Sequence, residues 1–410
     1  MYPIETLGER IRKLRKQQKL TLETLAGNAL TKGMLSLIEN NKANPSMESL
    51  NYIAKRLGVE VSELLEEVST QELRKILESA ELLSNTEHNQ VTDEYVQLIT
   101  LVEPFVPKLT QGYESARLLE MYSKCLYIEK RDGWETFSNR AAQLYDQMNI
   151  LPRRAKIGIF RASVKFVEHD YAEALKIMLQ ERLEIERNHA FIDPMTRIDL
   201  DYHEAVLYYA VGDAESAIRV MDNAIEFSKK QGVFYNIDSL YRLAATHAIT
   251  TLDLEKAKFY SKKLELYGEF AEDEEAIYFT RLLEVHYLNA HKQSYREALR
   301  LARLNNEDYK KSKVYSPYFD LEIGKSLFGL NQYKESLESL EKVEIADYIH
   351  HPIDLSQLYE RDAYIARCHL KLGSNEDALY YAKKAFDNIS SMPHSPHKDF
   401  ITTTYEFITK

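Results

Sequence analysis

Histidines, thiols and paired carboxylates are the side chains most able to do chemistry, and in these 410 residues such groups do not converge. His203 opens the string HEAVL, but no second histidine follows at the spacing by which one helix face grips zinc. His350, His351, His394 and His397 fall in segments read as loops, away from clustered acids or thiols, so no metal is expected there. Cys125 and Cys368 lie far apart without the paired spacing of a metal site; two such thiols suit a reducing compartment and behave as small apolar residues. The acidic run EDEE at 272–275 reads as a helix start, where negative charge offsets the helix dipole. No glycine-rich phosphate loop or nucleophile elbow occurs. The expectation is a protein that is not an enzyme and needs no cofactor.

What remains is charge. Residues 1–58 hold 10 Lys and Arg against 5 Asp and Glu, a net +5, whereas the rest carries 43 basic and 59 acidic residues, a net -16. A basic head on an acidic body suits a chain whose first domain alone meets a polyanion. The mean hydropathy is -0.43. No apolar run approaches the ~20 residues of a membrane-spanning helix. The opening stretch MYPIETLGERIRKLRKQQ lacks the apolar core of a signal peptide. A cytoplasmic protein without membrane contact is expected.

The elements that must position these residues are helical, because apolar residues recur at three- and four-residue spacings and only 13 Gly and 10 Pro interrupt them. Residues 4–18 predict a basic helix with Ile4, Leu7, Ile11 and Leu14 on one stripe. Thr21 caps a second helix, TLETLAG, and Thr31 a third, KGMLSLIENN. Pro45-Ser46 opens a fourth, SMESLNYIAKRLG, and Val61–Leu65 makes a fifth. In helix three Leu30, Leu35 and Ile38 fit the buried side, while Lys32, Gly33, Ser36, Leu37 and Asn40 fit the exposed side.

This series is similar to the DNA-binding domain of phage repressors and their bacterial relatives, through Arg15, LTLETLA at 20–26, LTKGMLSLIENNKANPS at 30–46 and LNYIAKRLG at 50–58. The resemblance implies that helix three enters the major groove of double-stranded DNA. Carried over position by position, base contact falls on Lys32, Gly33, Ser36 and Leu37, with Lys32 able to donate to a guanine edge. Thr31, Asn40, Lys42 and Asn44 would lie against phosphates. Arg15 matches the arginine that pairs with the helix-three glutamate, here Glu39. Lys13, Lys16 and Lys19 either touch phosphate or are simply solvated. Where relatives often carry Gln at the start of helix two, this chain has Leu22, and Gly33 brings no side chain to a usual reading position. A single domain of this size makes few phosphate contacts, so a homo-oligomer, at least a dimer built through the rest of the chain, is expected on a palindromic operator.

Beyond residue 150 a repeat emerges. Six segments align on a small residue followed twelve positions later by another: Ala162/Ala174, Ala205/Ala217, Ala245/Ala257, His286/Ala298, Gly324/Ser336 and Ala366/Ala378. His286 alone is not Ala, Gly or Ser. Antiparallel helices joined by a tight turn approach closely only where contact residues lack bulk, and each hairpin then covers the apolar face of the last. The pattern resembles the tetratricopeptide repeat, although successive pairs stand about 40 residues apart rather than about 34. The fold class expected is all-α: a five-helix repressor-type helix-turn-helix domain followed by a right-handed tetratricopeptide-like superhelix. Its divisions are expected at 1–69 for the head, 70–152 for degenerate helix pairs, 153–392 for six repeats and 393–410 for a capping helix.

A repressor-like head on such an array resembles the Gram-positive quorum-sensing regulators of the Rap, Rgg, NprR, PlcR and PrgX group, in particular the NprR and PlcR types. That likeness implies a short signalling peptide held in the array's groove and controlling oligomeric state and DNA binding. Repeat phase points Tyr202, Arg242, Thr246, Tyr287, Lys325 and Arg367 inward, with Tyr209 and Phe328 one turn on and Asn236 and Asn289 as the nearest amides. With 28 tyrosines in the chain, packing is the competing role for such rings. A second role stays open: Rap-type arrays bind a response regulator of a sporulation phosphorelay, and this chain could combine that with DNA binding.

Overall fold

Ser, Thr or Asp side chains cap the N-termini of many of this protein's described helices, as Thr6, Thr31, Asp193 and Ser395 do. The computed structural model describes residues 6–65, 70–85, 93–311 and 317–410, and among the described residues there is no strand. The chain divides into two compact units, Met1–Ile157 and Gly158–Lys410. The division falls inside the helix Leu151–Val167.

The head of the first unit holds five helices: α1 (Leu7–Gln17), α2 (Leu22–Ala26), α3 (Lys32–Glu39), α4 (Met47–Leu57) and α5 (Val61–Leu65). Thr6 and Glu9 form a reciprocal capping box at α1, so that helix begins later than the predicted residue 4; Ile4, like the predicted boundary residue Ser69, lies outside the described residues. Thr21, Thr31 and Ser46 cap α2, α3 and α4 through their side-chain oxygens. Ile11, Leu25, Leu35, Ile38, Ile53 and Leu64 are buried together, with Leu14, Leu22 and Leu30 packed against them. Gly8 lets α1 meet the end of α3, since a Cβ there would overlap the Ile38 carbonyl. Asn41, in the left-handed region at φ 56°, accepts the Gly8 N–H at 3.1 Å and donates to the Thr6 hydroxyl at 2.6 Å.

The same unit continues with α6 (Thr70–Ser84), α7 (Glu94–Val102), a 3-10 turn over Glu103–Lys108, α8 (Gly112–Ile128) and α9 (Trp134–Gln147). Large side chains fill the space between these helices, as where Tyr122 meets Phe137 edge-on at 5.0 Å. Buried Cys125 has its thiol pushed up by burial to about 12, consistent with a packing role.

From α10 (Leu151–Val167) onward the helices come in pairs. α10 joins α11 (Tyr171–Asn188), α12 (Pro194–Ala210) joins α13 (Ala214–Gln231), and α14 (Ile237–Thr250) joins α15 (Leu254–Ala271). Three more pairs follow: α16 (Glu274–Ala290) with α17 (Tyr295–Lys311), α18 (Pro317–Gly329) with α19 (Tyr333–Leu340), and α20 (Pro352–Leu372) with α21 (Asn375–Ile389). α22 (Pro396–Thr409) packs on α20 and α21. Asp170, Asp213, Asp253 and Asp273 cap the second helix of a pair or the first of the next by accepting a backbone N–H three residues on. Asp273 gives the EDEE run its physical role, with Glu274 and Glu275 in the first turn of α16.

Every Ala and Ser of the twelve-residue pattern is buried, and a Cβ on Gly324 would collide with the buried Leu340 side chain. The exception has its own partner: His286 reaches across to Glu322 on α18 at 2.9 Å. Replacing Ala217, fully buried, by Leu inserts a side chain where the backbones touch. The expected result is a loss of about 1–3 kcal/mol, read from the urea midpoint of the full chain.

Candidate nucleic-acid interface and ligand groove

α3 fills the core with one side and keeps the other open to solvent, apolar as well as polar residues included. Leu35, Ile38 and Glu39 are buried, whereas Lys32, Gly33, Leu37 and Asn40 are exposed and Ser36 is half-buried. Nothing lies within 4 Å of a Cβ built on Gly33. Lys32 Nζ rests 3.0 Å from the Glu23 carboxylate, with both side chains in solvent. Thr31 uses its hydroxyl to accept the Met34 N–H at 3.1 Å, and Asn40 donates its side-chain amide to the Ser36 carbonyl at 2.7 Å. Lys42 and Asn44 are exposed just past the helix. Met34, 45 % exposed beside Leu37, belongs to the same surface and was missed because its apolar type suggests a core position. Leu22 packs against the head's core instead of reaching outward.

The orientation of α3 is set by Arg15. Its Nε and Nη2 each donate to Glu39 at 2.7 Å, and its Nη1 donates to the Leu20 carbonyl at 2.9 Å. Glu39 is 3 % exposed and Arg15 11 %, so the pair is withdrawn from water and acts as a brace between α1 and α3.

In the second unit, three adjoining cavities run along the first helices of the pairs. One of about 710 Å³ is lined by Tyr202, Tyr209, Arg242, Tyr318 and Asp354. A second of about 290 Å³ shares Arg242 and Asp354 and extends to His286 and His397. The third, about 630 Å³, begins at those histidines and continues to Phe328, Tyr364 and Arg367. Shared walls make them one groove.

The groove collects most of the predicted residues but gives them different work. Tyr202, Arg242 and Thr246 line its first part, Lys325, Arg367 and Asn289 its last, with Tyr209 and Phe328 included. Tyr287 and Asn236 line none of the three cavities: Tyr287 stacks near His291 and Lys292, and Asn236 is the left-handed residue opening α14. Asn289 and Lys325 are committed to neighbours. Asn289 donates to the Glu322 carbonyl and carboxylate at 2.9 and 2.8 Å and accepts the Ser326 hydroxyl at 2.8 Å. Lys325 lies between Glu322, at 3.1 Å, and Glu360, at 2.5 Å. His397 is not in a loop, as the sequence reading had it, but on α22, buried and 2.7 Å from Glu360.

This buried network ties α16, α18, α20 and α22 together at the groove floor. Burial opposes ionisation of Glu360, but Lys325 and His397 outweigh it and hold the carboxyl down at about 2. Glu322 is lowered in the same way by Lys325 and His286 against its burial. The two carboxylates raise Lys325 despite its burial. Burial raises Asp354, and the neighbouring His351 and His397 only partly oppose it. Nothing in the sequence marks Tyr318, Asp354 or Tyr364; His286 is marked by breaking the small-residue pattern, and His397 only by its place in a segment read as a loop.

Residues 8–69 match the helix-turn-helix domain family. Over 63 residues, 15 % of this chain, the sequence is 41 % identical to the immunity repressor protein of Bacillus phage phi105, covering 44 % of that protein. It is equally similar over 63 residues to the HTH-type transcriptional regulator DdrOP3 of Deinococcus deserti, covering 49 % of it. The chain thus spans under half the length of both relatives. Among solved structures, PlcR of Bacillus thuringiensis in complex with the peptide PapR7 and DNA is 19 % identical with a TM-score of 0.33, covering 67 % of this chain and 99 % of that one. The competence regulator ComR of Streptococcus vestibularis in complex with its signalling peptide XIP is 18 % identical at 0.38, over 68 % and 97 %. A tetratricopeptide repeat protein of Parabacteroides merdae is 14 % identical at 0.43, over 77 % and 99 %. No helix among the described residues is long and apolar enough to cross a membrane, and no group of three or more His, Cys, Asp or Glu among them could hold a metal ion.

Removing one partner of the brace, as in Arg15→Met, strands the buried Glu39 charge and is expected to cost the head about 3–5 kcal/mol in urea unfolding. Because folding depresses the Glu360 and Glu322 carboxyls, their stabilisation is present above the ordinary carboxylate range and is lost as pH falls through it. Urea midpoints of the full chain should therefore fall between about pH 5 and pH 2, with a shallower fall in Glu360→Gln.

Proposed function

We propose that this chain is a DNA-binding transcription regulator of the peptide-responsive quorum-sensing kind. Its helix-turn-helix head reads a palindromic operator as a homo-oligomer, and its groove holds a short signalling peptide that controls oligomeric state and DNA binding. The observation that carries the reading is the open face of α3, with Lys32, Gly33 and Leu37 free of the core on a helix fixed by the Arg15–Glu39 pair. The unlike charges of head and body support it, since only the basic head is attracted to phosphates. The match of residues 8–69 to the helix-turn-helix family supports it further.

On this reading Lys32 donates to a base edge, and Ser36 and Leu37 face the groove of the duplex beside it. Lys42, Asn44, Asn40 and the Thr31 terminus of α3 sit against phosphates, fixing register without reading sequence. Glu23, paired with Lys32, faces the same phosphates and works against non-specific binding. The ligand lies over Tyr202, Arg242 and Thr246 at one end of the groove and Arg367 at the other.

Selection of random duplexes by the full chain should enrich an inverted repeat with half-site centres about one helical turn, or a multiple of it, apart. Lys32→Ala should weaken binding to the enriched duplex by about 1–3 kcal/mol in fluorescence anisotropy, and Glu23→Gln should strengthen binding to random duplex. Enrichment of nothing above background, or equal affinity of wild type and Lys32→Ala, contradicts the DNA reading. Synthetic short peptides taken from any small secreted precursor encoded beside the gene should shift duplex affinity or sedimentation of the wild type. Unchanged behaviour with all of them contradicts gating.

A further inference from the structure

We propose that the groove is electrostatically polar and fixes the direction of its ligand. The C-terminal carboxylate of an extended peptide is held by Arg367 and Lys371, and a cationic group, the N-terminal ammonium or a basic side chain, by Asp354 and Glu275. This rests on the peptide reading above and adds a chemical class and an orientation to it.

The cationic end is built around Arg367. Its guanidinium lies over the rings of Phe328, at 5.1 Å, and Phe400, at 5.4 Å, on two different helices. Two aromatic faces hold the fork in place without consuming its N–H donors, and among the described residues no carboxylate is within ion-pair distance of it. Lys371, one turn further along α20 and exposed, lines the same cavity and is likewise unpaired. The other lysine lining this cavity, Lys325, is already neutralised by Glu322 and Glu360. What faces the space is therefore a pre-positioned guanidinium with an ammonium beside it, suited to a carboxylate by bidentate geometry.

The opposite end has the reverse character. Asp354 lines both remaining cavities and has no basic side chain within ion-pair distance among the described residues. Its two neighbouring imidazoles are engaged elsewhere: His351 accepts the Ile353 N–H on Nδ1 and has its other ring nitrogen at the Val206 carbonyl, and His397 faces Glu360. Glu275 lines the same two cavities, exposed and without an ion-pair partner among the described residues, while Arg242 is matched by Asp238 at 3.8 Å and Asp273 at 3.7 Å. An independent feature points to a ligand here. Tyr209, 5 % exposed, lines this cavity, and its hydroxyl has no hydrogen-bond partner among the described residues. A buried hydroxyl left unmade costs free energy that a ligand carbonyl or amide would recover. The two ends share the continuous wall through His286 and His397, so one chain can reach both.

The test uses the full chain and two synthetic hexapeptide pools of random sequence, one with free C-termini and one amidated, with retained peptides identified by mass spectrometry after gel filtration. Free-acid peptides should be retained about tenfold or more over amides, the worth of a charged hydrogen bond pair, and Lys or Arg should be enriched away from the C-terminus. Arg367→Gln should still retain peptides but abolish the acid-over-amide preference, with Arg367→Lys restoring part of it. Asp354→Asn should remove the enrichment of basic residues and leave the acid preference. Unaltered circular dichroism and urea midpoints establish that each variant is folded. Peptides retained equally from both pools by the wild type overturn the orientation while leaving the peptide reading standing. Retention from neither pool overturns the peptide reading and the orientation with it.

Discussion

Close approach of paired helices at small side chains is the constraint on which the second unit depends. Ala205 and Ala217, Ala245 and Ala257, Ala366 and Ala378 are buried where the two backbones of a hairpin meet, and any added bulk must push them apart. With contact assigned to these residues, larger side chains on the first helices are free to face the groove, as Tyr202, Arg242 and Arg367 do. At His286 the constraint is broken, and that departure installs a buried polar network. The imidazole, Glu322, Lys325, Glu360 and His397 satisfy one another across four helices. Such a network tolerates few alternative packings, because each misplaced helix would strand a charge.

The head solves a different problem with similar means. Five short helices bury little surface, so the orientation of α3 relies on specific ties: Arg15 to Glu39, and Asn41 to both Thr6 and the Gly8 amide. These contacts secure the buried side and C-terminal end of the helix while leaving Lys32, Gly33 and Leu37 unused. Lys32 is held by an exposed acid alone, a pair weak enough for a stronger partner to replace.

How much of this was legible in the sequence depended on whether local spacing or three-dimensional convergence decided it. Helix starts were legible from Thr21, Thr31 and Ser46, because capping is a contact between near neighbours. The six helix pairs followed from the twelve-residue spacing of small residues, which records a hairpin directly. Lys325 and Asn289 were placed on the groove wall by phase, but their partners come from α18 and α20, so sequence could not reveal that their donors are spent internally. Nothing local marks Asp354 and Tyr364, and His397, read as a loop residue, shows no partner in the sequence. They acquire meaning only where α20 and α22 bring them against the other helices. Asn236 and Tyr287 line none of the three cavities, because residue type and repeat phase alone do not fix where a side chain ends up.

Amide hydrogen exchange of the full chain, alone, with a duplex it has selected, and with a retained peptide, tests most directly the separation of a reading helix from a ligand groove. The account predicts that duplex slows exchange across 31–44, and that peptide slows it in α12, α14 and α20, where Tyr202, Arg242 and Arg367 reside. Protection of the groove helices by duplex with 31–44 unchanged would contradict it.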